Sequence, residues 1–313
     1  MKRIFLLGEC MVELRRTNSN TMHQSFAGDV YNTAVYLKRC FNDIDVNLIT
    51  ALGTDQLSTD MKTEFNKEFI NTDLVFTSNE RVPGLYLVQT DDAGERSFTY
   101  WREFAAARTV MNYFDNNVME VILQGDMFFF SGISLAIIEP AARELFWQRL
   151  VQLKTAGVKI VFDPNYRARL WENAEQAKEQ FEQAFVLSDI LLPGIDDFNL
   201  LYNLNTFEQL HQFLMPYNID EIIIKNGADS VISVMQNEIK KHIISPITEV
   251  VDTTSAGDSF NGTYLGAVLN GYSIAKAIAL ASKAASYVIQ HKGAIVEKEQ
   301  FNQFISPHLQ HMN

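Results

Sequence analysis

Short apolar runs alternate with segments of helical periodicity along most of this chain, and this alternation limits the fold more than any other feature. Apolar runs typical of buried strands include residues 4–8, 127–131 and 159–162, and helical segments include residues 140–155 and 174–187. A strand followed by a helix usually leads to a neighbouring parallel strand. The order therefore predicts an α/β fold with a central, mostly parallel sheet. The 313 residues suffice for one large domain or for two.

A β-hairpin interrupts the alternation. Residues 84–90 and 97–101 have the pattern of two strands, and Asp-Asp-Ala-Gly-Glu at 91–95 between them is a hairpin turn signal. Residues 11–14 alternate as a half-exposed strand does. A hairpin among alternating strands and helices predicts a small sheet that stands apart from the main one.

The composition argues against some partners. The net charge of -12 disfavours non-specific binding to nucleic acid and adhesion to an anionic membrane, and it requires arginines close to any anionic substrate. Cys10 and Cys40 match no metal-ligand spacing and are expected to be reduced core thiols. The N-terminal apolar run is too short for a signal peptide, and no segment is long enough to span a membrane. We therefore expect a cytoplasmic protein.

The strongest chemical signal is Asp-Thr-Thr-Ser-Ala-Gly-Asp-Ser-Phe-Asn-Gly at residues 252–262. It follows an extended, β-branched segment at 243–251 and leads into a helix predicted at 260–269, so it lies where free backbone amides attract anions. Gly257 allows the backbone to approach a bound group closely. A carboxylate at Asp258, beside amides that favour a phosphate, fits phosphoryl transfer in which the carboxylate takes a proton from a hydroxyl. Plain helix capping is the alternative explanation.

The pattern Asp-Thr-Thr-x-Ala-Gly-Asp-x-Phe-x-x-Gly resembles the second signature of the ribokinase-like (PfkB) carbohydrate kinases. The resemblance implies a single ribokinase-like domain over residues 1–313. It implies a three-layer sandwich around the central, mostly parallel sheet, with a small β-sheet lid formed by roughly residues 11–27 and 76–108.

The same resemblance implies the chemistry. Asp258 would be the general base, and the amides of Ser255, Ala256 and Gly257 would form an anion hole for the transferring phosphoryl group. ATP and Mg²⁺ would be needed. The chain has neither a Walker A pattern nor Gly-x-Gly-x-x-Gly, and these kinases bind nucleotide without either motif.

A second candidate site precedes a helix near the N-terminus. Gly28 and Asp29 stand before Asn32, so a bare backbone and two polar side chains meet at a helix start. A turn with an N-cap explains these residues as well. The ribokinase-like kinases have a Gly-Gly or Gly-Asp step here followed by Asn. The resemblance therefore implies that Gly28, Asp29 and Asn32 hold sugar hydroxyls.

Arginines and tyrosines indicate the class of substrate. Arg102 ends the hairpin, and Arg167 follows a strand, at the sheet edge where α/β proteins bind ligands. A guanidinium pairs bidentately with a carboxylate, which a neutral sugar lacks. A surface role at the lid edge for Arg102, and tethering of its own loop by Arg167, are the alternatives. Tyr86 and Tyr100 are either ordinary strand aromatics or contacts to substrate oxygens.

Gly-Asp-x-x-Asn-Thr-Ala-Val-Tyr-Leu, Ser-Phe-x-Tyr-Trp-Arg and Asp-x-Asn-x-Arg together resemble the 2-keto-3-deoxygluconate kinases of this family, and the resemblance covers essentially the whole chain. It implies ATP-dependent phosphorylation of the terminal primary hydroxyl of a 2-keto-3-deoxy sugar acid. Arg102 and Arg167 would hold the carboxylate and keto end. The residues implied along the sugar chain are Gly28, Asn32, Tyr86 and Tyr100.

The nucleotide half of the site matches the family less closely. Lys225 and Gly227 resemble the strand-Lys-x-Gly segment near the phosphates, although a lysine at a strand end is often merely solvated. Many members have Asn-x-x-Glu after the preceding strand, where this chain has Gly194 and Asp197. Asp197 would take the glutamate's part through water, and the sequence assigns no metal ligands.

Two other functions fit the same motifs. One is another ribokinase-family sugar kinase, such as a fructokinase or a kinase for a related aldonate. The other is a catalytically inactive sugar-binding regulator on the same fold, which an intact Asp258, Gly257 and Lys225 argue against. Because the edges of a lid sheet need cover, a homo-oligomer that pairs lids is expected.

Overall fold

The computed structural model describes residues 1–18, 20–90, 96–236, 238–245 and 247–310. Its strands are β1 (Arg3–Leu7), β2 (Met11–Arg16), β3 (Met22–Ala27), β4 (Asp45–Leu52), β5 (Val75–Thr77), β6 (Leu85–Thr90), β7 (Arg96–Trp101), β8 (Met127–Ser131), β9 (Lys159–Asp163), β10 (Ile190–Leu191), β11 (Glu221–Asn226), β12 (Ser230–Met235) and β13 (Glu238–Ile243). The larger sheet has the order β13-β12-β11-β10-β9-β8-β1-β4-β5. Neighbours from β11 to β5 run parallel, and β12 and β13 add an antiparallel edge. The predicted α/β fold is confirmed.

Helices cover both faces of the larger sheet and make it the middle of three layers. They are α1 (Asp29–Cys40), α2 (Gln56–Lys67), α3 (Asn116–Ile122), α4 (Gly132–Ile137), α5 (Arg143–Thr155), α6 (Ala174–Leu187), α7 (Ile195–Tyr202), α8 (Phe207–Leu214), α9 (Ala256–Leu269), α10 (Ile274–Val288) and α11 (Lys298–Gln310). One face carries α1, α2 and α9 to α11, and the other carries α3 to α8. None of the helices in the described ranges is long and apolar enough to cross a membrane.

Alternate side chains of the central strands enter two separate cores. In β1, Ile4 and Leu6 pack into the core beneath α1 and α9, whereas Phe5 and Leu7 pack into the core beneath α5 and α6. All four side chains are fully buried. Because both faces of the sheet are covered, the strand has a continuous apolar sequence rather than an alternating one.

The smaller sheet is separate and has the order β3-β2-β6-β7. The pair β2 and β6 is parallel, and the hairpins β2–β3 and β6–β7 are antiparallel. Its strands lie within residues 11–27 and 85–101, because Val75–Thr77 pairs with β4 in the larger sheet and Ala106–Tyr113 is a 3-10 helix. The turn predicted at 91–95 lies outside the described residues.

Two predicted boundaries were wrong. The strand predicted at 243–251 was misplaced: β13 ends at Ile243, and the described residues 244–245 and 247–251 continue no strand. Ile243 pairs with Ser230, the first residue of β12, so β12 offers no partner beyond it. Helix α9 begins at Ala256 rather than near residue 260. The glycine and polar residues of its first turn hid the start of the helix, because they weaken the apolar periodicity that reveals a helix in a sequence.

Helices α1 and α9 approach each other so closely that one position admits only glycine. A Cβ atom on Gly262 would lie 2.2 Å from the carbonyl oxygen of Thr33 and 2.9 Å from the amide nitrogen of Leu37. Both are backbone atoms of a packed helix and cannot move aside cheaply. The contact therefore fixes the N-terminal turn of α9 beside that of α1.

Replacement of Gly262 by alanine should lower the free energy of unfolding by about 1–3 kcal/mol, because the added methyl group forces the two helices apart. Urea denaturation measures the change. The sign of this change in the free energy of unfolding is informative, because a glycine-to-alanine exchange at an unhindered helix position stabilises a protein by about 1 kcal/mol. Lys283→Ala on the exposed side of α10 is the control and should change stability by less than about 0.5 kcal/mol. A Gly262→Ala protein as stable as the wild type would contradict the close contact.

Candidate active site

A cleft of about 870 Å³ lies between the smaller sheet and the carboxyl ends of the strands in the larger sheet, and the structure brings every predicted site residue into its lining. These residues are Gly28, Asp29, Asn32, Tyr86, Tyr100, Arg102, Arg167, Asp197, Lys225, Gly227, Ser255, Ala256, Gly257 and Asp258. Ligands bind at this edge in open α/β sheets, because the loops and helix N-termini that follow the strands converge there.

The first turns of α1 and α9 meet at a hydrogen bond between two predicted residues. Asn32 Nδ2 donates to Asp258 Oδ2 at 2.8 Å, and the Gly28 amide donates to Asn32 Oδ1 at 3.3 Å. At Gly28 a Cβ atom would lie 2.1 Å from the carbonyl oxygen of Glu9, so the position excludes any side chain. Asn32 thereby fixes the orientation of the Asp258 carboxylate.

The environment of Asp258 suits proton transfer near neutral pH. Burial, together with the negative charges of Asp29 and Asp163, raises the pKa of Asp258 to about 7, against the lowering effect of the Asn32 hydrogen bond. A carboxylate with a pKa near the working pH is the most effective general base. The arrangement can therefore take a proton from a substrate hydroxyl.

Asp29 makes a contact that the sequence did not reveal. Asn165 Nδ2 donates to Asp29 Oδ2 at 2.9 Å, and burial raises the pKa of Asp29. Asn165 has a φ of 34°, in the left-handed region, which turns its side chain back to α1 from the loop after β9. Asp29 thus links two sides of the cleft.

The start of α9 leaves backbone amides free for an anion. Ser255 has a φ of 64°, and the Ala256 amide donates to the Thr253 carbonyl at 3.3 Å. The amides of Gly257 and Asp258 have no acceptor among the residues that the structure describes. Apart from its chain neighbours and its own helix backbone, the one described atom within 4 Å of a Cβ on Gly257 would be Lys225 Nζ, at 3.9 Å. The space in front of these amides is open to an anionic group.

Lys225 belongs to a buried network with two residues that were not predicted. Its ammonium lies 3.1 Å from Asn261 Oδ1 and 3.4 Å from Asp163 Oδ1. Asn261 Nδ2 donates to Asp163 Oδ2 at 2.7 Å. Asp163 and Asn261 were quoted in motifs, but only the fold shows that they meet.

Arg102 is buried and paired with Glu9, another residue that was not predicted. Arg102 Nη2 donates to Glu9 Oε2, and the two side chains are 9% and 1% exposed. Burial raises the pKa of Glu9, while the charge of Arg102 lowers it. Arg102 Nε and Glu9 Oε1 are buried without a hydrogen-bond partner in the described part of the protein. The pair therefore retains unused hydrogen-bonding capacity at the cleft.

Arg167 is accessible, in contrast to Arg102. Its side chain is 45% exposed, donates to the carbonyl oxygen of Tyr166 at 2.8 Å and lies 3.6 Å from Asp197. The loop after β9 also supplies Arg169, whose guanidinium carbon lies 3.8 Å from the ring centre of Tyr100. This cation–π contact joins the loop to the smaller sheet across the mouth of the cleft.

The aromatic residues of the smaller sheet are held in place by their neighbours. Tyr86 donates from its hydroxyl to Glu13 Oε2 at 2.5 Å, and the rings of Tyr86 and Tyr100 stack with centres 5.5 Å apart. Both rings face the cleft, together with Phe98. They form an apolar wall that ends in polar groups.

Asp197 lies at the first turn of α7 and accepts from the Tyr166 amide through Oδ1 at 3.0 Å. Burial and the charge of Asp163 raise the pKa of Asp197 to about 6. Its Oδ2 atom would be 3.1 Å from a Cβ on Gly194, so the glycine leaves that oxygen uncovered. Within the described ranges, no group of three or more His, Cys, Asp or Glu side chains could hold a metal ion by itself.

The chain was compared with known families and proteins. A family model described as pfkB family carbohydrate kinase matches residues 1–300. The 2-dehydro-3-deoxygluconokinase of Dickeya dadantii (strain 3937) is 37% identical over 304 residues, which cover 95% of this chain and 98% of that protein. The protein of the same name from Haemophilus influenzae is 38% identical over 307 residues, covering 95% and 96%. The similarity extends over almost the full length of both relatives.

Solved structures share the fold at lower sequence identity. A putative Ribokinase II from E. coli superposes with a TM-score of 0.84 at 20% identity, covering 98% of this chain and 100% of that one. The 2-dehydro-3-deoxygluconokinase of Thermotoga maritima superposes with a TM-score of 0.81 at 21% identity, covering 98% and 100%. These values confirm the three-layer fold with a separate smaller sheet.

Replacement of Asp258 by asparagine should raise the free energy of unfolding more at pH 8 than at pH 5. The folded protein keeps a proton on Asp258 up to about pH 7, whereas an unfolded chain releases it near 3.8, so wild-type stability falls as the pH rises between these values. Asparagine cannot ionise and avoids this loss. The two effects should differ by about 2–3 kcal/mol.

Urea denaturation at both pH values measures this difference. Asp115→Asn is the matched control, because Asp115 caps the exposed start of α3 and asparagine caps equally well. The control should respond alike at pH 5 and pH 8. Equal effects of Asp258→Asn at the two pH values would show that the Asp258 carboxylate has an ordinary pKa.

Proposed function

This chain belongs to the pfkB family of carbohydrate kinases, and on that basis we propose that it phosphorylates the terminal primary hydroxyl of 2-keto-3-deoxygluconate with ATP. The proposal is supported by the relatives named 2-dehydro-3-deoxygluconokinase, which are 36–38% identical over nearly the whole chain. The observation that carries it is the juxtaposition of Asp258, the free amide of Gly257 and Lys225 in a cleft that also contains arginines.

Asp258 is the general base in this proposal. Its carboxylate takes the proton of the attacking hydroxyl, and Asn32 holds the carboxylate in one orientation through the 2.8 Å hydrogen bond. With a pKa of about 7, a substantial fraction of Asp258 is ionised at neutral pH, and the group is still basic enough to accept the proton.

The start of α9 forms the anion hole. ATP supplies the phosphoryl group, and the amides of Gly257 and Asp258 with the Lys225 ammonium stabilise the charge that develops on it. Sequence considerations named the Ser255, Ala256 and Gly257 amides. The Ala256 amide is engaged with Thr253, so we keep the Ser255 and Gly257 amides of that set and add the amide of Asp258.

We propose that Mg²⁺ is held mainly by the triphosphate and water. Mg²⁺ usually keeps several of its waters and takes only one or two protein carboxylates. Asp197 fits this role because its Oδ2 atom is uncovered beside Gly194, and it would reach the ion through water. Gly227 has a φ of 53°, and none of the described residues places an atom within 4 Å of its Cβ position. It therefore leaves room for phosphates beside Lys225.

The smaller sheet is the proposed lid, and it contributes to substrate selection. Arg102 and Arg167 would hold the carboxylate and keto end, and Gly28, Asn32, Tyr86 and Tyr100 would contact the sugar chain. Closing the sheet over the cleft would exclude water that otherwise consumes ATP. We also propose that two copies pair through their lids, because Trp101 is 56% exposed on the edge strand β7.

A coupled assay of ADP release with ATP and Mg²⁺ tests the function. We expect turnover with 2-keto-3-deoxygluconate and much slower turnover with fructose, ribose and gluconate. Asp258→Asn should lower kcat by roughly 100-fold or more, since the general base is removed. Asp115→Asn should retain the wild-type rate.

The other outcomes identify other functions. Preference for fructose or ribose would keep the fold and the base but eliminate the sugar-acid assignment. Absence of turnover with every sugar, together with sugar binding detected by calorimetry, would favour a catalytically inactive regulator.

Arg167 offers the sharper test of carboxylate recognition. Arg167→Ala should raise KM for 2-keto-3-deoxygluconate by about 10- to 100-fold, because a charge-assisted hydrogen bond contributes about 1.5–3 kcal/mol. Since Arg167 is half exposed, its loss should not unfold the protein, whereas removal of Arg102 would leave Glu9 buried without its partner. Arg16→Ala, on the exposed end of β2, is the matched control. An unchanged KM in Arg167→Ala would show that Arg167 does not bind the substrate carboxylate.

A further inference from the structure

Strands β9 and β11 of the larger sheet and helix α9 meet at a buried cluster beside the anion hole, hereafter the lysine clamp. The clamp consists of Asp163, Asn261 and Lys225. Asp163 ends β9, Lys225 lies near the end of β11, and Asn261 faces them from α9. Asp163 is 4% exposed and Asn261 is fully buried. The amide of Asn261 joins the other two, because its nitrogen donates to Asp163 and its oxygen accepts from Lys225.

The contact between Lys225 and Asp163 is longer than in an ion pair that stabilises a fold. The ammonium of Lys225 is 3.4 Å from Asp163 Oδ1, which is a long contact for a charged pair, whereas the Asn261–Asp163 bond is short at 2.7 Å. The carboxylate and the amide are therefore locked together, and the lysine rests against them more loosely. Lys225 Nζ is also the atom nearest to the open space over Gly257.

We propose that Asp163 and Asn261 are positioning residues that hold the Lys225 ammonium beside the Gly257 amide, ready to contact the transferred phosphoryl group. This inference rests on the proposed kinase function. Asp163 holds the ammonium turned into the cleft. Asn261 prevents the Asp163 carboxylate from rotating away, and the long lysine contact lets the ammonium move onto a phosphate oxygen at little cost.

Asp163 has a second influence, on the proton acceptor. The charged groups around Asp258 are Asp29 on α1, Asp163 on β9 and, beyond Gly257, Lys225 on β11. The negative charge of Asp163 contributes to the raised pKa of Asp258. Loss of that charge should therefore shift the acidic limb of the pH profile of kcat/KM to lower pH, because Asp258 then ionises more readily.

A double-mutant cycle with Asp163→Asn and Lys225→Met tests the clamp. Asp163→Asn keeps the shape of the side chain and should lower kcat/KM for ATP by roughly 10- to 100-fold, as misplacement of a catalytic group does. In the Lys225→Met background the same exchange should lower it less than about threefold, because the ammonium that it positions is gone. A residue that only supports the fold would cost the same in both backgrounds, and that result would overturn the proposal.

The pH profile of kcat/KM provides an independent readout. Its acidic limb should move to lower pH in Asp163→Asn and remain in place in the control Asp115→Asn. An unmoved limb in Asp163→Asn would overturn the electrostatic part of the proposal. If Asp163→Asn does not fold, Asn261→Ala replaces it in the same cycle, with the same loss and the same non-additivity expected for kcat/KM with ATP.

The wild-type assay separates the two levels of inference. Wild-type protein that turns over no sugar would remove the proposed function and with it the clamp. Active wild-type protein with additive effects of Asp163→Asn and Lys225→Met would overturn the clamp alone and leave the kinase assignment intact.

Discussion

The contact between the N-terminal halves of α1 and α9 is the constraint on which the site depends. Gly262 lies against the carbonyl oxygen of Thr33. Thr33 directly follows Asn32 in α1, and Gly262 lies about one helical turn after Asp258 in α9. Any side chain at Gly262 would separate the helices by more than a hydrogen bond tolerates. The glycine therefore allows the Asn32–Asp258 bond. Through this bond α1, which begins at the Gly28–Asp29 step proposed to hold the sugar, orients the proposed base on α9.

The same close packing explains why the site is electrostatically costly. Asp29, Asp163 and Asp258 share the lining of one cleft, and burial raises the pKa of Asp29 and Asp258. A protein selected only for stability would avoid such a group of carboxylates. Each carboxylate accepts one hydrogen bond from an asparagine side chain: Asp258 from Asn32, Asp29 from Asn165 and Asp163 from Asn261. These bonds offset part of the free-energy cost of burying the acids. The three amides are uncharged, so they stabilise the carboxylates without forming ion pairs, and Asp258 remains basic.

The sequence revealed the residues of the site better than their partners. Asp258, Gly257 and Asn32 stand in short local motifs at helix starts, where a single stretch of chain determines the chemistry. Glu9 and Arg102 are 93 residues apart, and Asp163 and Asn261 are 98 residues apart. Such pairs are created by the order of strands in the sheet, which no local pattern contains.

The end of β13 and the start of α9 were misplaced because a local sequence pattern does not contain everything that sets a boundary. The apolar, β-branched residues after Ile243 satisfy strand propensity, but a strand also needs a neighbour, and β12 ends its pairing there. Ser255 adopts a left-handed conformation before α9, which serine seldom takes by itself, and the glycine and polar residues of the first turn hide the start of the helix. Local sequence propensity predicted whether an element is a strand or a helix, whereas its end residues depend on the tertiary fold.

The balance of charged side chains in the cleft limits what it can bind. Its lining contains more carboxylates than cations: Glu9, Asp29, Asp163, Asp196, Asp197 and Asp258 face Arg102, Arg167, Arg169 and Lys225. With every group ionised, the cleft would repel anionic substrates, as would a chain with a net charge of -12. Burial raises the pKa of Glu9, Asp29, Asp197 and Asp258, so these acids hold protons more readily than exposed carboxylates do. Arg102 and Arg167 supply the local positive charge that an anionic substrate would need within this acidic lining.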